Sequence, residues 1–311
     1  MISKAKEQIN NLFKTQVERA SERFPDRDFM MTHAYVQAFL ARHDFVVDCP
    51  NPEFVVRQCY HMFAGLRLKT QVVKAPGDPN APAVRRFTSF REGISHSLDS
   101  LDPASAVTVI KVMDRALRDT RYVERWSADV AWHFVTSSSG PLKGRLITEV
   151  IRRFRPKNCL ELGTAYSLGT AYMATAKGKY APDGMIWTIE LGQEQFDFSS
   201  ALLNDFFEGK VEPVFGSIQD EMPKLLHNGF DLVFHDGGHA FENYTGDFKA
   251  MLPGLNEGAV VIFDDIRWDD RRFIDHPSRC YEGWLEVIAN PRVLTAFEVN
   301  GDFGVLLVGP K

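Results

Sequence analysis

The sequence predicts an α/β protein: a mostly helical N-terminal domain, then a parallel sheet with helices on both faces that ends in an antiparallel hairpin. From residue 145 onward, short β-rich apolar runs alternate with helical stretches long enough for crossover connections, which favours parallel strands. Before that point, apolar residues recur at helical spacing. A chain of 311 residues is typical of two domains, and we predict them at residues 1–135 and 136–311.

Composition excludes several classes of protein. The chain has 36 Lys and Arg against 41 Asp and Glu, and a net charge of −5 without a basic cluster argues against nucleic acid as the main partner. No apolar run approaches the roughly 18 residues of a membrane span, and the N-terminus does not read as a signal peptide. The four cysteines are far apart, so we expect reduced thiols in a cytoplasmic protein with a small-molecule partner.

The N-terminal domain is predicted from three helical patterns and one loop. Helices are expected over residues 3–24, through residues 35–40, and over residues 103–117, where Asp102 is the cap. Residues 75–83 contain three prolines and a glycine and are predicted to form a loop. We expect this domain to cover the site of the second domain or to build a homodimer.

The second domain is predicted strand by strand. The five parallel strands are expected at residues 158–162, 185–191, 211–215, 231–235 and 259–263. Two more β-like runs, residues 293–299 and 303–308, flank Asn300-Gly301-Asp302. Because Asn-Gly favours a tight hairpin turn, these last two strands are predicted to be antiparallel.

Polar or small residues follow each of the five predicted parallel strands. Ligands of open α/β sheets bind outside the carboxyl ends of the strands, so these positions are candidates for a binding site. The glycine-bearing turn after Glu161 lets the backbone approach a ligand, and the carboxylate of Glu190 can accept both hydroxyls of a ribose. The strand-end positions are residues 161–169, 190, 216–220, 236–239 and 264–265.

This order of motifs resembles the class I S-adenosylmethionine-dependent methyltransferases, and within them the catechol O-methyltransferase group and the macrolide and antibiotic O-methyltransferases. The resemblance covers about residues 136–311 and continues through residues 216–225. It implies a Rossmann-like methyltransferase sheet, S-adenosylmethionine as cofactor, and one hydroxyl of residues 136–139 near the cofactor's amino-acid end. The cofactor-binding residues that it implies are Glu161, Gly163, Thr164, Ser167, Glu190, Ser217, Ile218, Gln219 and Asp236.

One departure from the family pattern lies in the first turn. Relatives usually have glycine and then serine where this chain has Ser167 and Gly169. Serine is still small, so we expect the turn to survive with altered cofactor contacts.

Asp236, Asp264 and Asp265 place three carboxylates at adjacent strand ends. Such carboxylates repel one another unless a proton or a cation intervenes, and Mg²⁺ or another divalent cation suits an all-oxygen ligand set. The resemblance implies the same, since relatives chelate a metal here that binds the substrate oxygens. The alternative is that Asp264 or Asp265 caps the following helix.

His239 is the predicted general base. It follows Asp236 by three residues, and a near-neutral imidazole suits deprotonation of a hydroxyl. Related antibiotic methyltransferases have a histidine base at the corresponding place. His235 lies within the predicted strand and is given no catalytic role.

The sequence therefore predicts an O-methyltransferase that acts on a small-molecule hydroxyl by direct in-line transfer. Three alternatives stay open: a metal-independent N- or O-methyltransferase, a nucleotide-dependent oxidoreductase, and a catalytically silent cofactor-binding protein. The absence of a third glycine from the turn counts against the oxidoreductase.

Overall fold

The computed structural model describes residues 38–47, 52–63, 67–118, 139–267 and 278–311. The predicted helix at residues 3–24 and the predicted domain boundary after residue 135 lie outside these ranges. Residues 38–41 are helical and coincide with the end of the second predicted helix. The division into two domains stays a prediction.

Eight strands of the described chain form one sheet in the order β1-β7-β8-β6-β5-β2-β3-β4. The strands β2 to β6 are parallel, whereas β8 runs antiparallel to both β6 and β7. The predicted parallel sheet with a C-terminal antiparallel hairpin is therefore confirmed. The strands are β1 (Thr70–Lys74), β2 (Cys159–Leu162), β3 (Ile186–Glu190), β4 (Val211–Phe215), β5 (Phe230–His235), β6 (Leu255–Phe263), β7 (Val293–Val299) and β8 (Phe303–Val308).

The strand β1 was not predicted. It comes from the N-terminal half and pairs antiparallel with β7, with Thr70 opposite Val299. Lys69 and Asn300 extend the pairing, because the Asn300 amide donates to the Lys69 carbonyl at 2.7 Å and the Lys69 amide donates to Asn300 Oδ1 at 2.8 Å. The sheet therefore continues into the half that the sequence predicted as mostly helical.

Helices cover both faces of the sheet. Alternate residues of β6 show the two layers: Val260 and Ile262 belong to one hydrophobic cluster, and Val261 and Phe263 belong to the other. The helices are α1 (Pro52–Phe63), α2 (Pro82–His96), α3 (Pro103–Arg118), α4 (Pro141–Phe154), α5 (Leu168–Tyr180), α6 (Gln193–Phe207), α7 (Ile218–Leu225), α8 (Phe241–Met251) and α9 (Cys280–Ala289). The helix α3 agrees with its prediction, and Pro82 starts α2 where the predicted loop ends.

The N-terminal half packs directly onto this sheet. Phe87 of α2 contacts Phe297 of β7, with ring centroids 5.1 Å apart. The buried guanidinium of Arg145 in α4 donates to the carbonyls of Asp99 and His61, both at 3.0 Å. These contacts join the two halves through one shared hydrophobic cluster.

Two smaller expectations concern the cysteines and the membrane. Cys59, Cys159 and Cys280 are buried free thiols, in agreement with the prediction, and Cys49 lies outside the described residues. Burial raises the pKa of Cys59 and of Cys159 to about 12. Within the described ranges, no helix has the length and apolar character needed to cross a membrane.

Candidate active site

The turn after β2 requires glycine at its first position. Gly163 has φ +97°, and a Cβ there would come within 2.4 Å of the Asp236 carbonyl oxygen. Ala165 and Ser167 also have positive φ, at 44° and 68°, so the chain reverses tightly before α5 begins at Leu168. The turn therefore brings β2 against the residues that follow β5.

Gly169 packs closely against two polar side chains of the candidate site. A Cβ on Gly169 would lie 2.5 Å from Glu161 Oε1 and 3.0 Å from Ser139 Oγ, so these two side chains would have to shift to admit one. Ser167 carries the left-handed backbone instead, and its Oγ is buried without a hydrogen-bond partner among the described residues. The expected turn is present, and it contains one unpartnered buried hydroxyl.

Glu161 is a buried carboxylate at the base of this turn, with 1% of its surface exposed. Its Oε2 accepts hydrogen bonds from the hydroxyl of Thr170 and, at 2.6 Å, from the hydroxyl of Thr188. Burial raises the pKa of Glu161 to about 7, although both hydroxyls lower it. This carboxyl is therefore poised to change charge near neutral pH.

Four of the predicted cofactor residues line one small cavity. These are Glu161, Gly163, Thr164 and Asp236. Ser139 also lines this cavity, and its hydroxyl donates a hydrogen bond to Asp236 Oδ2 at 3.3 Å. The structure thus brings the first turn, Asp236 and Ser139 to one place.

Glu190 lies at the carboxyl end of β3, where it holds the same turn. One carboxylate oxygen accepts from the Ala165 amide and the other from the Gly192 amide, both at 2.8 Å. Each oxygen keeps a further lone pair for a ligand hydroxyl. The next residue, Leu191, is 69% exposed; the sequence analysis placed it at the end of the predicted strand and gave it no role.

The residues after β4 contribute mainly to local structure. The Ser217 hydroxyl accepts from the Asp220 amide at 3.1 Å and caps α7. Gln219 Nε2 donates to Asp247 Oδ1 at 3.0 Å, and Ile218 packs closely against Gly237. Their part in cofactor binding stays a prediction.

A lysine to which the sequence analysis gave no role lies at the sheet edge that carries Asp236, Asp264 and Asp265, here called the acidic edge. Lys143 Nζ forms an ion pair with Asp264, which is fully buried, and lies 3.9 Å from Asp236 Oδ2. Burial, reinforced by Asp236, raises the pKa of Asp264 well above its ordinary value, while Lys143 lowers it. Burial also raises the pKa of Asp236. Lys143 is thus the cation between two of the predicted metal ligands.

The carboxylates of Asp264, Asp265 and Asp302 converge at the acidic edge. One oxygen from each lies within 4.8 Å of the others, and Asp236 is outside this group in the described chain. Asp302 was not predicted; β8 runs antiparallel beside β6, so the hairpin turn reaches the same edge, and the Ile266 amide donates to the Asp302 carbonyl at 2.9 Å. An all-oxygen group of this kind fits a hard divalent cation.

His239, which follows β5, and His235, which ends it, differ in their surroundings. His239 Nε2 lies 3.7 Å from Asp265 Oδ2, and a fifth of its side chain is exposed. His235 is fully buried, contacts Asp247 Oδ2 at 3.0 Å and stacks on Phe263. His239 is therefore accessible to a ligand beside the acidic edge, whereas His235 is enclosed by protein side chains and has a structural role.

Comparison with known proteins identifies the domain. Residues 160–266 match the family described as methyltransferase domain. This part of the chain is a class I methyltransferase domain. Caffeoyl-CoA O-methyltransferase of Stellaria longipes is 25% identical over 138 residues, which are 42% of this chain and 54% of that protein. Catechol O-methyltransferase of Mus musculus is 30% identical over 136 residues, which are 41% of this chain and 49% of that protein.

A solved structure supports the fold of the methyltransferase domain. The O-methyltransferase from Bacillus cereus in complex with SAH aligns with a TM-score of 0.51 and 19% identity, over 70% of this chain and 96% of that one. The predicted resemblance and Rossmann-like fold are thus confirmed. The chain spans about half the length of the curated relatives named here.

Proposed function

We propose that the chain is an S-adenosylmethionine-dependent O-methyltransferase that acts on a hydroxyl of a small molecule. One observation carries the proposal: Asp236 lines the cavity of the glycine turn and also lies 3.9 Å from Lys143, the partner of Asp264. The cofactor turn and the acidic edge are therefore contiguous. In-line methyl transfer needs this proximity of donor and acceptor.

The first turn and β3 would hold the cofactor. The buried, unpartnered Ser167 hydroxyl and the Glu161 carboxylate suit the polar amino-acid end. Glu190 would accept the ribose hydroxyls, and the exposed Leu191 offers an apolar surface beside it. When bound, S-adenosylmethionine supplies a sulfonium methyl that is already activated, so the protein has to position the acceptor and remove its proton.

The acidic edge would hold the acceptor. Asp264 and Asp265, with Asp302 or Asp236 at either side, provide the oxygen ligands for Mg²⁺ or another divalent cation. Such an ion would lower the pKa of the acceptor hydroxyl. His239 Nε2 would accept the proton, and Asp265, 3.7 Å away, would stabilise the resulting imidazolium.

A second candidate is a metal-independent N- or O-methyltransferase. The observation that favours it is the ion pair of Lys143 with Asp264, because a lysine ammonium can neutralise the carboxylates without a metal. The two candidates differ in their response to chelation.

The names of the relatives suggest the probe substrates. Catechol and the caffeoyl group both carry two adjacent aromatic hydroxyls, so we propose this class of acceptor. The test measures S-adenosylhomocysteine formation from S-adenosylmethionine with catechol and with caffeic acid, in Mg²⁺ and in excess EDTA. Turnover in Mg²⁺ that is lost in excess EDTA supports the proposal. Full turnover in EDTA supports the second candidate. Cofactor binding without turnover of either probe would reject this acceptor class.

The cofactor half has its own test in Glu190. Its replacement by alanine should weaken S-adenosylhomocysteine binding by about 1.5 to 3 kcal/mol, the usual range for hydrogen bonds to a charged group. Isothermal titration calorimetry measures this difference. The matched control is Glu208→Ala at the exposed end of α6. Wild-type affinity in Glu190→Ala would remove Glu190 from the site.

A further inference from the structure

The start of α4 fixes the place of Lys143. Pro141 occupies the first turn after Gly140, and Lys143 follows in the same turn. One residue later, a Cβ on Gly144 would come within 2.3 Å of the Tyr172 ring, so α4 packs against α5 without a gap. Because this packing holds the backbone, the Lys143 side chain extends from a rigid support.

The position of Lys143 is electrostatically unusual. A cation in the first turn of a helix faces the positive end of the helix dipole, which disfavours it. Its carboxylate partners, Asp264 and Asp236, compensate for that. Ser139, just before the helix, also donates to Asp236. The segment that starts α4 thus holds both carboxylates.

Asp264 belongs to two groups at once. Its Oδ2 pairs with Lys143, and it also belongs to the converging group with Asp265 and Asp302. Its Oδ1 is buried without a hydrogen-bond partner among the described residues. A divalent ion bound by the converging group would therefore share the buried Asp264 carboxylate with the Lys143 ammonium. Two cations on one carboxylate repel each other strongly.

We propose that Lys143 is a positioning residue that competes with a divalent cation for Asp264. Without the ion, its ammonium holds the carboxylates of Asp264 and Asp236 at the sheet edge. With the ion, the repulsion between the two cations weakens the pair of Lys143 with Asp264. Lys143 thereby sets how tightly the protein binds metal. This inference rests on the proposed function, and specifically on its metal site.

The test compares Mn²⁺ binding in the wild type with that in Lys143→Met, Lys143→Gln and Lys143→Arg by isothermal titration calorimetry. Both neutral variants should bind Mn²⁺ about tenfold more tightly or better, because one repelling charge is gone. They should also unfold at a lower temperature in EDTA and recover in Mn²⁺. Lys143→Arg, which keeps the charge, should resemble the wild type in both measurements.

Equal or weaker Mn²⁺ binding in the two neutral variants would overturn the proposal. If no variant and no wild-type sample binds Mn²⁺, the competition and the metal site both fail, and S-adenosylhomocysteine titration of the same samples then shows whether the cofactor half of the proposed function stands.

A measurement on the wild type covers the case in which neither neutral variant folds. The ammonium signal of Lys143 in ¹⁵N-lysine spectra is assigned by its loss in Lys143→Arg. That signal should shift when Mg²⁺ is added. A signal that does not move in saturating Mg²⁺ would overturn the proposal.

Discussion

Glu161 makes the stability of the protein depend on pH. Its pKa is about 7 in the folded chain against an ordinary value of 4.5, because it is buried. Between these two pH values the unfolded chain has lost the proton that the folded chain retains, so the free energy of unfolding falls as pH rises. The loss is on the order of 3 kcal/mol and is complete above the folded pKa.

Denaturant unfolding of the wild type and Glu161→Gln from pH 4 to pH 8 tests this expectation. The difference in unfolding free energy between the two proteins isolates Glu161 from the other buried carboxyls, whose contributions are common to both. It should shift in favour of the glutamine variant as pH rises. A difference that stays constant over this range would show that Glu161 has the same pKa in the folded and the unfolded chain.

His239 and His235 provide a matched pair for the general base. His239→Ala should lower kcat by about 10² to 10⁴, the usual contribution of a positioned base, with S-adenosylhomocysteine affinity unchanged. His235→Ala should instead lower the unfolding temperature, since it leaves Asp247 buried without its ring partner, and should keep kcat per folded molecule nearer the wild type. A folded His239→Ala protein with wild-type kcat would show that the base lies elsewhere.

At the scale of single elements, the end of α5 is fastened by a buried lysine. Lys177 is 4% exposed, and burial lowers its pKa. Its Nζ lies 2.7 to 3.0 Å from four backbone carbonyls, those of Pro156, Lys157, Ala181 and Asp183. These carbonyls precede β2 and follow α5, so one ammonium ties the helix to the start of the strand that carries Glu161.

Replacement of Lys177 by methionine should therefore lower the free energy of unfolding by about 3 kcal/mol, because buried carbonyls lose their donors. Urea unfolding monitored by circular dichroism measures this loss. The control is Lys249→Met, at an exposed position of α8. Equal midpoints for both variants would mean that water replaces the ammonium.

The elements that could be predicted from sequence are those whose own residues carry the signal. The strands β4, β7 and β8 have their predicted bounds because each is a short β-rich run between turn residues. The strand β1 escaped prediction because it is five residues long and half exposed, and its pairing partner β7 lies more than 200 residues away. Lys143 and Asp302 escaped for the same reason, since only the packing of α4 and the position of β8 bring them to the acidic edge.

At the scale of the whole molecule, the two halves are joined by a buried arginine of α4, the helix that also carries Lys143. Arg145 is 1% exposed, and its guanidinium donates to a backbone carbonyl in the last turn of α1 and to one that follows α2. It lies two residues after Lys143 on α4. The helix α4 therefore carries both the arginine that joins the N-terminal half and Lys143 at the acidic edge. We predict that loss of the Arg145 contact will also disturb the acidic edge.

Arg145→Met should leave the carbonyls of His61, Leu98 and Asp99 without this donor and lower the free energy of unfolding by about 3 kcal/mol. Hydrogen exchange followed by mass spectrometry should show faster exchange across residues 52–101 and at the start of α4, because both ends of the contact lose order. Arg85→Met, an exposed position of α2, is the control. Faster exchange confined to residues 52–101, with α4 unchanged, would show that the acidic edge is supported by the packing of Gly144 on Tyr172 and not by this contact.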